Sequence, residues 1–428
     1  MSSYWRSFVQ RNFPIIILII FLVLVTRSFI SGPNDGSRFA TVRALVENHT
    51  FSIDSHDSID IVQYNGRFYS SKPPLLSVIA AGIYWPLHTI FHIEIPTLSP
   101  EPSIAIYIID LVIVGGSLAL LVVFFYKSLA FFSFSSRWRF WITMALVFST
   151  LIFSYSGSLN SHIPAAAFLF MGFYFFLKQF KEDVTAARSL FIGFLLSAAF
   201  SIEPIVSGFF VMMMFFYQVY DRRFRKTIVY FIVGFLPLTI IYALIQQFTI
   251  GTPLPPYFDK SLYYFAGAYW LHPIGIDALH QPKWLYLFHL LFGTHGLFLY
   301  TPILLVVFHS VYRMWKNPEY NYLRVFSVFI FSAIVFYILF ITFTTNNFGG
   351  ISYGTRWFIG FIPILFFFVA FSLNDFFKKH FTLAFFLLAL SVFFAFFGFT
   401  GPWSDNAFMA NGTPYFFPLL TKFLMLSR

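Results

Sequence analysis

Cysteine is absent from all 428 residues, which excludes disulfide bonds, thiol catalysis and zinc sites built from thiolates. Charge is scarce as well, since Asp, Glu, Lys and Arg make up 10% of the chain, whereas a soluble domain carries about 25%. Hydrophobic residues reach 58%, with 66 Phe. This balance excludes a soluble domain and predicts an all-α, polytopic membrane protein.

The net charge of +10 does not indicate a nucleic-acid partner, because the positive residues are scattered between apolar segments. That distribution is typical of membrane topology. Internal repeats of 20–50 residues and low-complexity linkers are also lacking, so we expect residues 1–428 to form one membrane domain.

Eleven apolar segments approach the length of roughly 17–25 residues that a membrane-crossing helix needs. The first follows two arginines and lacks a small-residue cleavage site, so we expect it to be a retained signal anchor. A further apolar stretch, residues 73–90, is either a twelfth span or a juxtamembrane or re-entrant segment. The eleven predicted spans are 14–31, 104–126, 140–157, 163–179, 188–202, 204–220, 227–249, 285–312, 325–345, 357–373 and 381–399.

The positive charges decide between these two topologies. If residues 73–90 do not cross, 17 of the 27 Lys and Arg residues fall in short loops on the side of the amino terminus. If they cross, every later loop inverts and the positive-inside rule fails. The sequence therefore predicts an internal amino terminus and an external carboxyl terminus. The predicted outer segments are 32–103 with juxtamembrane helices, 250–284, 346–356 and the tail 400–428.

The stretch NDGSRFATVRAL follows the first span and combines a carboxylate with an apolar stripe at helical spacing. Asp35 is either the N-cap of this helix, a role that Asp favours, or a catalytic carboxylate. Arg38 and Arg43 project from other faces of the helix. They either anchor it flat on the membrane or meet a phosphate group.

Two further outer segments contain a cation together with a tyrosine. Tyr69 and Lys72 belong to YNGRFYSSKPPLL, and Tyr353 and Arg356 belong to the glycine-rich NNFGGISYGTRWF. Lys72 is either a snorkelling anchor or a point charge for a lipid phosphate. Arg356 is either an interface anchor or a bidentate phosphate ligand.

The tight outer corners carry the remaining candidates. Asn160 and His162 lie in SYSGSLNSHIPAAAF, where His162 is either a hydrogen-bonded corner residue or part of a site. Glu203 joins two short spans, and an ionisable residue near membrane depth indicates function. The Pro-rich and aromatic segment 250–284 is expected to cover a cavity as a lid.

These segments, in this order, resemble the GT-C class of polytopic glycosyltransferases. The similarity covers most of the chain and is strongest in NDGSRFATVRALVENHTFSID, GRFYSSKPPLL, LFGTHGLFLYTPILL and NNFGGISYGTRW. Within the class it points to the family-39-like enzymes, which include protein O-mannosyltransferases and lipid A aminoarabinose transferases.

The resemblance implies transfer of a sugar from a polyprenyl-phosphate donor to a lipid, glycan or protein acceptor, without cofactor or metal. It also implies a site on the periplasmic or lumenal face, and we expect the bacterial inner membrane. Asp35 matches the family's acidic residue after span one, which acts as general base in an inverting displacement. Lys72 in SKPP matches the lysine that contacts the carrier phosphate, and Arg356 and Arg38 are expected to stabilise the same charge.

The chain departs from the family at two corners. Many relatives have an acidic residue where this chain has Asn160, Ser161 and His162, and many have a basic residue where it has Glu203. These differences leave open the acceptor class and the roles of His162 and Glu203.

A flippase or transporter of lipid-linked saccharides is the alternative to the enzyme. Transporters usually show internal repeats and polar sites at mid-membrane, whereas the polar residues here gather at one face, with Asp110 as the exception. A purely structural membrane protein would leave the polar first loop and the lid-like segment unexplained. The outer histidines lack metal-ligand spacing, since His88 and His92 form only a pair.

Overall fold

The computed structural model describes residues 18, 20–54, 58–97, 101–403, 409–410 and 413–414. The start of the first predicted span, the two arginines before it and most of the predicted tail 400–428 lie outside these residues.

Helices dominate the described part of the chain, and one helical segment, residues 20–25, precedes the first complete helix. Two short antiparallel hairpins occur, formed by β1 Ile61–Tyr64 with β2 Arg67–Ser70 and by β3 Met409–Ala410 with β4 Thr413–Pro414. In chain order the helices are α1 Pro33–Glu47, α2 Leu75–Phe91, α3 Ile104–Leu129, α4 Ser136–Phe148, α5 Leu151–Ser154, α6 His162–Lys181, α7 Ala186–Ile202, α8 Pro204–Tyr220, α9 Arg222–Arg225, α10 Ile228–Ile250, α11 Lys283–Leu291, α12 Leu297–Tyr300, α13 Val306–Lys316, α14 Asn321–Thr344, α15 Ile362–Lys379 and α16 Phe381–Thr400.

Five helices of the described chain are long and apolar enough to cross a membrane: α3, α6, α10, α14 with the turn before it, and α16. All five coincide with predicted spans. Many large apolar side chains on them are exposed, as for Leu244 and Phe248 on α10, which suits contact with lipid. The chain is thus a helical integral membrane protein, as its composition predicted.

Other predicted spans are shorter or interrupted. Spans 188–202 and 204–220 form the 17-residue helices α7 and α8. Span 140–157 is divided between α4 and α5, because Thr150 adopts an extended conformation and its hydroxyl caps α5. Span 285–312 is divided among α11, α12, a 3₁₀ turn and α13. The count of eleven spans therefore stays a prediction.

The predicted first outer loop contains α1 and α2, and also the β1–β2 hairpin, which the predicted all-α fold lacks. Asn65 and Gly66 form its turn with φ values of 49° and 75°, the positive values that a two-residue hairpin turn requires. The hairpin places Ser70 beside α1, where the hydroxyls of Ser70 and Ser37 lie 2.6 Å apart.

Helix α1 is not a surface helix with its arginines in solvent, which was one of the two alternatives for Arg38. Every residue from 34 to 42 is buried, because α2 and β2 pack against it. Arg38 is 1% exposed, whereas Arg43 on another face is half-buried. The polar positions of α1 therefore face the protein interior.

Helices α7 and α10 pack together at unusually short range, which fixes the end of α7 where Glu203 lies. A Cβ on Gly193 would lie 2.1 Å from the Phe231 carbonyl oxygen, and one on Gly234 would lie 2.0 Å from the Leu190 carbonyl oxygen. Such contacts between small residues are a common basis of helix association in membranes.

Candidate active site

Asp35 caps α1 from within the helix. The predicted N-cap position was wrong: Gly32 is the N-cap and Pro33 opens the helix, because Pro lacks the N–H that the first turn leaves unpaired. Asp35 Oδ1 accepts hydrogen bonds from the N–H groups of Gly32 (2.8 Å) and Gly36 (3.1 Å). Oδ2 accepts from the N–H and the hydroxyl of Ser31, at 2.8 and 2.7 Å.

Burial raises the pKa of Asp35, while the hydrogen bonds from Ser31 and Gly32 oppose this rise. Its side chain is 1% exposed. Three of the four donors are backbone N–H groups that the chain holds in place. Only the Ser31 hydroxyl can rotate away and leave a lone pair of Asp35 for another proton donor.

Arg38 lies one turn further along α1, and its guanidinium is buried. No described residue accepts a hydrogen bond from its Nε or Nη1. Burial lowers the pKa of Arg38 to about 10, an effect that Glu203 opposes and Arg356 reinforces. The guanidinium therefore stays charged at neutral pH.

Lys72 follows the hairpin, and its Nζ lies 2.8 Å from Oδ2 of Asp60. The hairpin explains this pair, since β1 and β2 run antiparallel and the N–H of Ser71 donates to the Asp60 carbonyl oxygen at 3.0 Å. Burial lowers the pKa of Lys72, Asp60 raises it, and the cations Arg356 and Arg38 lower it further.

Arg356 begins the 3₁₀ turn after the glycine-rich loop and faces the same region. Its Nη2 donates to the Gly349 carbonyl oxygen at 2.7 Å, and its guanidinium carbon lies 4.9 Å from the centre of the Trp403 ring. Within the described chain, its Nε and Nη1 have no acceptor. Gly349 has a φ of 101°, a conformation that favours glycine and lets the loop fold back on Arg356.

Arg38, Lys72 and Arg356 form one cationic cluster, although they come from three separate parts of the chain. Arg356 lowers the pKa of both Arg38 and Lys72, so the three charges lie within electrostatic range of one another. Two of them are guanidinium groups with buried, unused donors among the described residues. Such a cluster is suited to binding an anion with several oxygens, such as a phosphate.

A second polar group borders this cationic cluster. Glu203 accepts a hydrogen bond from the Ser161 hydroxyl, and its Oε2 lies 3.2 Å from Nδ1 of His162. The Nε2 atom of His162 is buried and has no partner in the part of the chain that the structure describes. Since Arg38 interacts with Glu203, the structure joins these predicted residues to the cationic cluster.

The described fold is similar to that of ArnT from Cupriavidus metallidurans, a lipid A aminoarabinose transferase. For the apo state the TM-score is 0.55 at 12% identity, covering 89% of this chain and 62% of that chain. For the same protein bound to undecaprenyl phosphate the values are 0.55, 11%, 91% and 64%. The chain has a GT-C-like fold.

The predicted GT-C-like fold is confirmed at the level of architecture. The chain spans about 62% of the length of the ArnT structure that it matches. A further similarity, to the Archaeoglobus fulgidus oligosaccharyltransferase in complex with zinc and sulfate, has a TM-score of 0.47 at 13% identity, covering 91% of this chain and 54% of that chain. No protein-family model matches the sequence, and no curated protein sequence matches it at a significant level.

Three predicted residues have structural roles in this GT-C-like fold. Asn160 Nδ2 donates to the Tyr155 and Ser158 carbonyl oxygens, both at 2.8 Å, and its Oδ1 accepts from Ile163 N–H at 3.0 Å, so it holds the corner before α6. The Tyr353 hydroxyl donates to the Phe394 carbonyl oxygen at 2.8 Å. Tyr69 packs in an apolar cluster with residues of α10 and the segment 250–284.

Sequence reasoning missed Asp60 and Ser31. A signal for Asp60 was present, since Asn-Gly between two short apolar runs indicates a hairpin whose register brings residue 60 close to residue 71. Ser31 offered no such signal, because its importance comes from its N–H and hydroxyl hydrogen bonds to Asp35.

Proposed function

We propose that the protein is a membrane glycosyltransferase that moves a sugar from a polyprenyl-phosphate donor to a lipid, glycan or protein acceptor. One observation carries this proposal: the buried Arg38 and the half-buried Arg356 lie within electrostatic range of Lys72, and each has an Nε and an Nη1 without an acceptor among the described residues. Burying a charge without compensation is costly, so such an arrangement suits a site that an anion completes.

The carrier phosphate of the donor is the anion that we assign to this cationic cluster. The fold is shared with a protein whose structure was determined with undecaprenyl phosphate, and this similarity supports a lipid-linked phosphate here. Phosphate oxygens can accept two parallel hydrogen bonds from a guanidinium, whereas a lysine contributes a compact charge.

Asp35 is the general base in the proposed reaction. The acceptor hydroxyl or amine gives its proton to Oδ2 of Asp35 and forms a bond to the anomeric carbon from the face opposite the phosphate. The bond between that carbon and the phosphate oxygen breaks, and its electron pair leaves with the polyprenyl phosphate, so the configuration inverts. Arg38, Lys72 and Arg356 stabilise the charge that develops on the leaving group.

The pair of His162 and Glu203 is assigned to substrate binding. Glu203 orients the imidazole through Nδ1, which leaves Nε2 as a hydrogen-bonding group for a hydroxyl of the sugar. Because this pair interacts electrostatically with Arg38, the sugar would lie between the pair and the carrier phosphate.

We further propose eleven membrane spans with the site on the outer face, facing the periplasm in a bacterial inner membrane. The distribution of Lys and Arg supports this orientation, since 17 of 27 fall in short loops on the opposite side. Residues 73–90 would then remain at the outer face, where the 17-residue helix α2 packs against α1.

Asp110 favours the alternative, a flippase or transporter of lipid-linked saccharides. It is 1% exposed within α3, and no described residue donates a hydrogen bond of ordinary geometry to either carboxylate oxygen. A π-helical turn, Leu111–Gly115, follows it directly. Buried acids within membrane-crossing helices often mark ion or proton pathways.

A transfer assay decides between the two functions. Membranes containing wild type or Asp35→Asn are incubated with a panel of labelled polyprenyl-phosphate sugars. We expect transfer by wild type and a loss of about 100-fold or more in the variant, the effect of removing a positioned base. Wild-type transfer by the variant would overturn the role of Asp35. Carrier movement without sugar transfer, abolished by Asp110→Asn, would establish the flippase instead.

A further inference from the structure

A cavity of about 450 Å³ lies between the end of α16 and the residues that follow the helical segment 20–25. Arg27 and Ser31 are among its polar lining residues, and Phe29, Phe399 and Trp403 are among its apolar ones. None of these side chains belongs to the residues assigned above to the donor phosphate.

Ser31 connects this cavity to the proposed base. Its hydroxyl donates to Asp35 Oδ2 at 2.7 Å, and it is the only one of the four donors to Asp35 that can rotate. Asp35 does not itself line the cavity, so a hydroxyl group from the cavity would reach Oδ2 only where the Ser31 hydroxyl rotates away. The exchange costs Asp35 no hydrogen bond.

Trp403 connects the cavity to the cationic cluster. It lines the cavity, and its ring lies 4.9 Å from the guanidinium carbon of Arg356. An occupant of the cavity is thus separated from the donor phosphate site by one side chain. The proposed base, the site for the leaving group and the cavity are therefore neighbours in the structure.

Arg27 gives the cavity its charge. Its Nη2 donates to the Phe399 carbonyl oxygen at 2.5 Å, the only hydrogen bond that its side chain makes to the described residues. The remaining N–H donors are available to a ligand, and a guanidinium binds carboxylate or phosphate groups through paired hydrogen bonds. The flanking rings of Phe29 and Phe399, at 5.9 and 5.7 Å, hold the guanidinium at the cavity wall.

We propose that this cavity is the acceptor subsite and that it selects an acceptor with a carboxylate or phosphate beside its reacting hydroxyl. Arg27 binds the anionic group, which does not itself react. The acceptor hydroxyl takes the place of the Ser31 hydroxyl, gives its proton to Asp35 and bonds to the anomeric carbon, while the electron pair of the broken bond leaves with the carrier phosphate. The sugar-transfer step rests on the proposed glycosyltransferase function, whereas binding of the anionic group by Arg27 does not.

Binding of two matched probes tests the subsite. Octyl glucuronide carries a carboxylate beside its ring hydroxyls, and octyl glucoside lacks it. We expect purified wild-type protein in nanodiscs to bind labelled octyl glucuronide about tenfold or more tightly than octyl glucoside, the worth of a hydrogen-bonded charge. Arg27→Gln should remove this preference and Arg27→Lys should keep part of it. The control Arg67→Gln, at an exposed arginine in the same outer loop, should keep all of it.

Competition identifies the source of the anionic group. Displacement of octyl glucuronide by phosphatidylglycerol vesicles, but not by free glucuronate, assigns the subsite to lipid headgroups. Displacement by free glucuronate assigns it to soluble saccharides. Displacement by neither contradicts the proposal, and so does equal binding of both octyl glycosides by wild type.

Two readouts separate this inference from the proposed function. Binding of undecaprenyl phosphate by Arg27→Gln, measured in parallel, shows that the variant is folded. A preference for octyl glucuronide that depends on Arg27, observed without any sugar transfer, would contradict the glycosyltransferase function and support the anion subsite. Sugar transfer together with the same preference for octyl glucuronide in wild type and Arg27→Gln would contradict the subsite and support the glycosyltransferase function.

Discussion

Lys72 Nζ lies 2.8 Å from Asp60 Oδ2, so the lysine assigned to the carrier phosphate also pairs with a carboxylate of the protein. The Asp60 charge raises the pKa of Lys72, which burial and the two neighbouring arginines lower. It also leaves the lysine in place to exchange one anionic partner for another. The Asp60 charge also interacts with Arg38, so it offsets part of the repulsion within the cationic cluster.

Asp60→Asn should narrow the pH range of donor binding from the alkaline side. Burial already lowers the pKa of Lys72, and loss of the Asp60 charge lowers it further. Because only protonated Lys72 attracts phosphate, the variant should lose donor affinity at a lower pH than wild type as pH rises. The donor KM measured between about pH 7 and 10 checks this, a range below the ordinary lysine pKa of about 10.4.

The control for this prediction is Glu94→Gln, which removes an exposed carboxylate from the same outer loop. It should leave the alkaline limit of donor binding unchanged. Identical pH profiles for Asp60→Asn and Glu94→Gln would show that the Asp60 charge does not control the protonation of Lys72.

Ser31→Ala should shift the acidic limb of kcat/KM to higher pH. The hydrogen bond from the Ser31 hydroxyl lowers the pKa of Asp35 against the rise that burial causes. Without it the pKa rises further, and the base is protonated and lost at a higher pH as pH falls. Ser37→Ala is the matched control, since that hydroxyl bonds Ser70 and does not touch Asp35. A limb at the same pH in wild type and Ser31→Ala would mean that a group other than Asp35 sets it.

Gly193→Ala should destabilise the helix pair formed by α7 and α10. A Cβ at this position would lie 2.1 Å from the Phe231 carbonyl oxygen, so the helices must separate. Overpacking of this kind costs about 1–3 kcal/mol. Thermal unfolding in detergent, followed by size-exclusion fluorescence, measures the loss.

Gly116→Ala is the control for helix packing, because a Cβ there would meet no atom within 4 Å. Ala favours a helix over Gly by about 1 kcal/mol, so this variant should be as stable as wild type or more stable. Equal unfolding temperatures for the two variants would contradict the close crossing.

The class and much of the helical architecture follow from the sequence, because long apolar runs such as 104–126 have few alternatives to membrane helices. Where polar residues or glycine interrupt a run, length alone does not define the element. Thr150 divides one predicted span by capping a new helix, which only its backbone conformation reveals. Whether a residue such as Thr150 caps a new helix or continues the preceding one decides where these helices begin and end.

Most residues of the candidate site, although not Ser31, could be proposed from residue type and position along the chain, but their spatial relationships could not. The helical pattern around Arg38 allowed a membrane-surface helix, whereas packing by α2 and β2 buries it. The approach of Lys72 to Asp60 depends on strand register. Contacts across the chain, such as Glu203 with Ser161 and His162, depend on how separate helices meet.

Binding of undecaprenyl phosphate to purified protein tests whether the buried Arg38 and the half-buried Arg356 form a site for a carrier phosphate. Removing a charge-assisted hydrogen bond of this kind costs about 1.5–3 kcal/mol, which is tenfold or more in Kd. We predict that wild type and Arg67→Gln bind the lipid equally well, and that Arg38→Gln and Arg356→Gln each bind it at least about tenfold more weakly. Equal affinity of all four proteins would contradict a phosphate site at these two arginines.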